Sequence, residues 1–290
     1  MSGLFARAGG TGNDPEGRRP RGFRTARGLA FVVVGVLIAQ MAYAQEGRFR
    51  GGLGLAFFMA PAYPGSDSER LFVYPYPYWD YRSKVLDLRH EHLHAKLAPE
   101  SRISVGFGAN GSPPLAAGSP DARIGMPALW PTFALGPDVR YRSPWQPWGL
   151  RVFVGLETRL RTALGPDLQL SRAGTSAAGF GEIRSPHGAP WPFSISVSPV
   201  WRSRSANNYF FGVSPAYAIV GRPAYEAPGG YAGLRVTGAI TARHKNMSFT
   251  IFARYRNYSG TAFLGSPLLK TSNTLVLGVA VVWAFLRSWP

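Results

Sequence analysis

The chain has 290 residues, with 32 Lys+Arg against 15 Asp+Glu for a formal charge of +17, and it contains 35 Gly, 25 Pro and no Cys. The missing cysteine excludes disulfide scaffolds, zinc–thiolate sites and thiol enzymes, and 46% apolar with 13% aromatic residues excludes wholesale disorder. Charged residues make up only 16%, against roughly 25% in an ordinary soluble domain, and the basic excess is spread singly, so no nucleic-acid partner is expected.

The first element is a leader. Arg18, Arg19, Arg21, Arg24 and Arg27 precede the apolar run Gly28–Ala39, which is followed by Ala42-Tyr43-Ala44. A charged region, an apolar stretch too short for a helical span and an A-x-A site together read as a cleaved secretory signal peptide. Arg18-Arg19 lacks the surroundings of a twin-arginine signal. The expected division is a leader and signal over 1–44 and one mature domain over 45–290.

Beyond the leader no window reaches the length of uninterrupted apolar sequence that a membrane helix needs. Period two recurs instead. Candidate strands lie near 49–59, 70–82, 84–92, 102–109 and 128–142. The clearest follows, where Leu150, Val152, Val154, Leu156 and Leu160 alternate with Arg151, Phe153, Gly155, Glu157 and Arg159. Segments near 177–184, 193–198, 208–219, 234–237, 247–254 and 274–285 continue the series. About twelve such stretches, separated by Gly/Pro/Ser/Asn turns, predict an all-β fold, an antiparallel transmembrane β-barrel of about 10–12 strands in outer-membrane lipid. The competing fold is a soluble β-sandwich or barrel. Against it stand apolar faces that recur in strand after strand opposite small Gly, Ala and Ser. Aromatics at strand ends (Tyr74, Tyr76, Tyr78, Trp79; Trp145, Trp148; Tyr255, Tyr258) are expected to form the headgroup belt.

The turn Tyr63-Pro64-Gly65-Ser66-Asp67 is followed by a proline-punctuated strand containing Pro75, Pro77 and Tyr78. Further along come Ala122-Arg123-Ile124-Gly125-Met126-Pro127, Asn208-Tyr209-Phe210-Phe211-Gly212-Val213-Ser214 and the terminal strand to Trp283-Ala284-Phe285. In these ordered blocks, across roughly residues 51–285, the chain resembles the MipA/OmpV family of outer-membrane proteins. The resemblance implies an outer-membrane scaffold that meets a lytic transglycosylase and joins it to a peptidoglycan synthase. It implies no catalytic residue and no cofactor. Two departures stand out. Leu286–Pro290 follow Phe285, so the terminal aromatic assembly signal is either internal at Trp283 and Phe285 or replaced by Trp289. The segment Thr261–Leu268 lacks the acids of the family's corresponding turn.

His90, His92 and His94 alternate and so share one strand face, but about 7 Å apart they do not all reach one ion without a bend. They are weak metal candidates, and a polar strand end is the preferred reading. Ser185 with His187, or Ser248 with His244, pair on paper but sit in no nucleophile turn. No enzyme is expected.

Arg151, Arg159, Arg161, Arg235 and Arg254, with Glu157, fall on the polar faces and are expected in the lumen. They suit either a plug of mutually satisfied charges, which is preferred, or a cationic pore for small anionic solutes. The Tyr-Pro-Gly-Ser-Asp turn reads as a rigid backbone device.

Overall fold

The computed structural model describes residues 48–82, 86–89, 92–96, 101–118 and 121–288. The expected signal peptide lies outside the described residues. Among the described residues twelve strands form a closed barrel: β1 (Arg48–Pro61), β2 (Glu69–Arg82), β3 (Leu86–Arg89), β4 (His92–Lys96), β5 (Ile103–Ser112), β6 (Thr132–Arg142), β7 (Arg151–Leu164), β8 (Leu170–Arg184), β9 (Phe193–Arg202), β10 (Gly230–His244), β11 (Met247–Asn257) and β12 (Asn273–Ser288). Each pairs antiparallel with its neighbours in sequence, and β12 closes on β1.

The alternation in the sequence decides which way each side chain points. On β1, Leu53, Leu55, Phe57 and Met59 are exposed while Gly54, Ala56 and Ala60 are buried. On β12, Leu275, Leu277, Val279, Trp283 and Phe285 face out and Thr274, Ala280, Val282 and Ala284 face in. Val154, Leu156, Leu160, Ile195, Ile240, Phe249 and Ile251 continue the outer apolar surface. A contiguous apolar face of this extent is stable against acyl chains and not against water. No helix among the described residues is long and apolar enough to cross a membrane; the strands cross.

The lumen is lined by small residues where rings fill the space. A Cβ at Gly54 would overlap the ring of Tyr76, and one at Gly278 would overlap Phe252. Phe58 stacks on Phe72 at 5.3 Å between centroids. Tyr74, Tyr76 and Tyr78 therefore share the inward parity of β2 and do not belong to the belt expected for them. Trp145, Trp148 and Tyr255 are exposed, whereas Tyr258 is buried.

Successive residues of an antiparallel strand direct their backbone groups to alternate neighbours. β2 keeps a continuous ladder with β1 from Glu69 to Arg82. Pro75 and Pro77, with no N–H to give, therefore belong to the opposite edge, where β3 pairs only Asp80, Tyr81 and Arg82.

Two expected segments differ in the structure. The stretch near 84–92 divides into the short strands β3 and β4. The stretch near 208–219 is no strand: α1 (Arg204–Phe211) occupies its start, and a loop follows. Ser203 accepts Ala206 N as an N-cap, and Ala206, Asn207, Phe210 and Phe211 are buried at helical spacing. At the other end, residues beyond Phe285 continue β12, with Leu286, Arg287 and Ser288 opposite Gly51, Arg50 and Phe49. The register shifts between Gly51 and Gly52, where a side chain at 52 would overlap the Trp283 carbonyl.

Candidate functional site

The barrel has two unlike ends. The start of β1, the end of β12 and the short turns 143–150, 185–192 and 245–246 lie at one end, the termini end. The long loop segments 113–118 and 121–131, 203–229 and 258–272, with the turn 62–68, lie at the other and fold together into a cap.

The sequence blocks singled out above converge in that cap. Gly65 takes φ +84°, a conformation few side chains tolerate, and its carbonyl accepts Lys270 N at 2.8 Å and Thr271 N at 3.1 Å. Ser66 Oγ accepts Ser68 N, which makes the rigid turn expected, while Asp67 stays exposed. Tyr63 is buried; its hydroxyl donates to Leu268 O at 2.7 Å, and the Arg123 guanidinium lies 5.9 Å from its ring centroid. Burial pushes the Tyr63 hydroxyl up to about 12, against the pull of Arg123. Burial likewise lowers Arg123 from its ordinary value. Phe211 stacks on Phe263 at 3.9 Å, and Ser266 Oγ donates to Phe211 O at 2.7 Å. Thr261–Leu268, the turn without acids, is thus an apolar wedge of the cap core. Arg222 clasps the 122–124 loop by donating to Ala122 O, Ile124 O and Tyr217 O. A cavity of about 680 Å³ opens beside these residues, lined by Met126, Tyr209, Val213, Tyr217 and Tyr225 among others.

Beneath the cap, charges line the wall formed by β6 to β11. Arg159 is 4% exposed and donates from Nη1 to Gly136 O, Pro137 O and Thr158 O and from Nη2 to Glu157. Asp138 lies 3.5 Å from the same guanidinium. Arg235 reaches across from β10 to Glu157 at 2.8 Å. Closer to the termini, Glu182 holds Arg184 through both oxygens and meets Arg140 at 3.6 Å, and both arginines lie over the Phe153 ring. Arg161 stands nearer the cap, donating to Thr132 Oγ1 at 2.6 Å.

At the termini end, Arg151 Nε donates to Ser185 O at 2.9 Å and its Nη1 lies 3.1 Å from His187 Nε2. Arg151 is thus a rim residue that ties the 143–150 turn to the 185–192 turn. Ser185 Oγ accepts Phe193 N. The two turns expose Trp145 at 67%, Trp148 at 90% and Trp191 at 61%. Trp148 sits at φ 50°. Arg287 closes the same end by donating to Lys245 O and Asn246 Oδ1.

Residues 53–285 match the family model of the MltA-interacting protein MipA. The chain belongs to the MipA family. It is an outer-membrane β-barrel, as the family and the apolar outer face both require. Among solved structures it is similar to a CymD monoaromatic hydrocarbon channel, at 11% identity and TM-score 0.35, over 87% of this chain and 93% of that one. It is also similar to a FadL homologue of Pseudomonas aeruginosa, at 9% identity and TM-score 0.27, over 86% and 92%. At such scores the likeness assigns no ligand. Among proteins with curated descriptions, none matches.

In this MipA-family chain the expected lumen residues Glu157, Arg159, Arg161 and Arg235 gather on one wall, with Arg254 on the same inward parity of β11 opposite Thr237. Pro75 and Pro77 share the lipid-facing parity of Leu55 and Leu53, which they oppose on β1. His92 and His94 fall in β4, and His90 lies outside the described residues. Trp283 and Phe285 pack ring to ring at 5.2 Å on the outer face, and Trp289 lies outside the described residues. Sequence reading did not single out Asp138, Arg140, Arg184 and Arg202 as lumen residues. Their signal was the same strand parity, in Thr132–Arg142 for example, masked by the Pro and Gly that interrupt the pattern.

Proposed function

We propose that this protein is a non-enzymatic scaffold that holds a lytic transglycosylase and joins it to a peptidoglycan synthase at the inner surface of the outer membrane. The observation that carries the reading is the termini end: two turns locked together by Arg151 present Trp145, Trp148 and Trp191 on one side of the barrel mouth. In outer-membrane barrels short turns face the periplasm and long loops face outward, so this end meets the cell wall. Exposed tryptophans ringed by polar groups are the residues most able to anchor a protein partner. The family's description as MltA-interacting points to a partner of the same kind. The ion-paired and aromatic-filled lumen favours a scaffold over a pore.

The test is retention of proteins from detergent-solubilised envelope by the folded chain, read against a similarly basic control barrel. Capture of a lytic transglycosylase, lost when Trp145, Trp148 and Trp191 are all changed to Ala in a barrel that still folds, supports the reading. Equal capture by the triple variant, or no capture by the parent chain, overturns it.

A further inference from the structure

The charges of the lumen do not balance evenly along its axis. Asp138, Glu157 and Glu182 are engaged by Arg140, Arg159, Arg184 and Arg235 in the middle and lower barrel. Directly under α1, Arg161 of β7 and Arg202 of β9 place their guanidinium carbons 5.7 and 5.9 Å from the ring centroid of Phe210. Arg256 of β11 lies close enough to repel both. Among the described residues none of these three has a carboxylate within ion-pair distance. Arg161 finds only neutral oxygens, on Thr132 and Asn110, and Arg202 Nη1 is buried with no acceptor. Tyr258, 1% exposed and electrostatically coupled to Arg202, brings a hydroxyl that likewise has no partner.

The three guanidiniums can only donate, and the Tyr258 hydroxyl has a proton to give as well. Stacking on Phe210 offsets part of the cost of confining the charges but gives the N–H groups nothing to bond. Buried like charges and idle donors are costly, and one species relieves both: an anion with several oxygens. Three guanidiniums match the charge and the fork geometry of a phosphoryl group better than those of a single carboxylate.

The geometry points to a phosphoryl-binding site beneath the cap, formed by Arg161, Arg202, Arg256 and Tyr258, that takes phosphate either free or as the phosphorylated headgroup of an outer-membrane lipid. The site is a fixed seat between cap and lumen, and it stands whether or not the scaffold reading does.

The experiment is thermal unfolding of the full chain folded in a phosphate-free detergent, with inorganic phosphate against chloride and acetate at matched ionic strength. A companion assay measures phosphorus retained after delipidation. Phosphate should raise the unfolding temperature beyond what chloride and acetate do. R202Q and R256Q should each weaken that response about tenfold in phosphate concentration, the loss of one charge-assisted contact. R256Q should also raise the phosphate-free unfolding temperature, because it removes repulsion. Y258F, which keeps the ring in place, should weaken the response without lowering the phosphate-free temperature. Retained phosphorus that travels with acyl chains, and is missing from R202Q, identifies the lipid source and supports the site equally. No phosphate-specific shift together with no retained phosphorus overturns it. So does R256Q with a lower phosphate-free temperature and an unaltered phosphate response.

Discussion

Glu157 of β7 accepts a hydrogen bond from Arg235 of β10 at 2.8 Å, although 78 residues and two intervening strands separate them. The same carboxylate takes Arg159 Nη2 at 3.0 Å, so one acid neutralises two cations from different strands and ties the wall together across its curvature. Glu157→Gln keeps the shape and removes the charge. The barrel should lose about 2 kcal/mol, less than the roughly 3–5 kcal/mol of a fully buried pair because 22% of the Arg235 side chain reaches solvent. Urea unfolding in detergent measures this. The double variant E157Q/R235Q should recover part of the loss, since it leaves fewer orphaned charges.

The stack of Phe211 on Phe263 joins the end of α1 to the loop before β12. Both rings are fully buried, with Tyr258 and Leu268 around them. Phe263→Ala should cost the cap about 3–5 kcal/mol, while the barrel ladder, held by its own inter-strand backbone pairing, survives. Limited proteolysis should then cut within 203–229 or 258–272 in the variant and spare both in the parent. Cleavage of the strands instead would mean that cap and barrel unfold as one unit.

Strand parity was legible in the sequence wherever large apolar residues alternate with small or charged ones, because a pleated backbone against lipid permits no other arrangement. It failed at 208–219, where Tyr209, Phe210 and Phe211 read as a strand end but the Ser203 cap and the buried positions 206, 207, 210 and 211 make a helix. The three tyrosines of β2 misled for a related reason: a belt and a ring-filled lumen use the same residue, and only Gly54 opposite Tyr76 tells them apart. The grouping of Arg161, Arg202 and Arg256 was beyond sequence reading, since it depends on the register of strands far apart in the chain.

Alkaline pH should loosen the cap before the barrel. The Tyr63 hydroxyl is raised to about 12 from the ordinary 10.0, so the folded cap favours the neutral phenol. Its stabilising contribution is fully present below pH 10 and is lost as pH rises through the window from 10 to about 12. Arg123, lowered by burial, sheds its proton more readily in the folded state than in the unfolded one, so its own titration in the alkaline range favours the folded cap and opposes part of the Tyr63 effect. Tyrosinate absorbance at rising pH should show late-titrating tyrosines in the parent, since burial also raises Tyr209 and Tyr225, and Y63F should lose one of them. Proteolysis of the cap loops should begin in the same window.

Trp148 combines 90% exposure with φ 50°, a conformation that costs a non-glycine residue of order 1 kcal/mol or more. Gly149 beside it is also at positive φ, 73°, and its Cα side faces Pro186 of the neighbouring turn. The turn is thus held in a strained form that points an indole at solvent, and nothing within the barrel benefits from the ring. Trp148→Gly removes the strain and the ring together. Stability should rise by about 0.5–1 kcal/mol, while retention of the lytic transglycosylase falls by about tenfold or more, the loss of a tryptophan anchor. Stability and partner capture moving in opposite directions separates a docking residue from a structural one. If both stay unchanged, Trp148 is a membrane-boundary ring, and the docking surface must be carried by Trp145 and Trp191 alone.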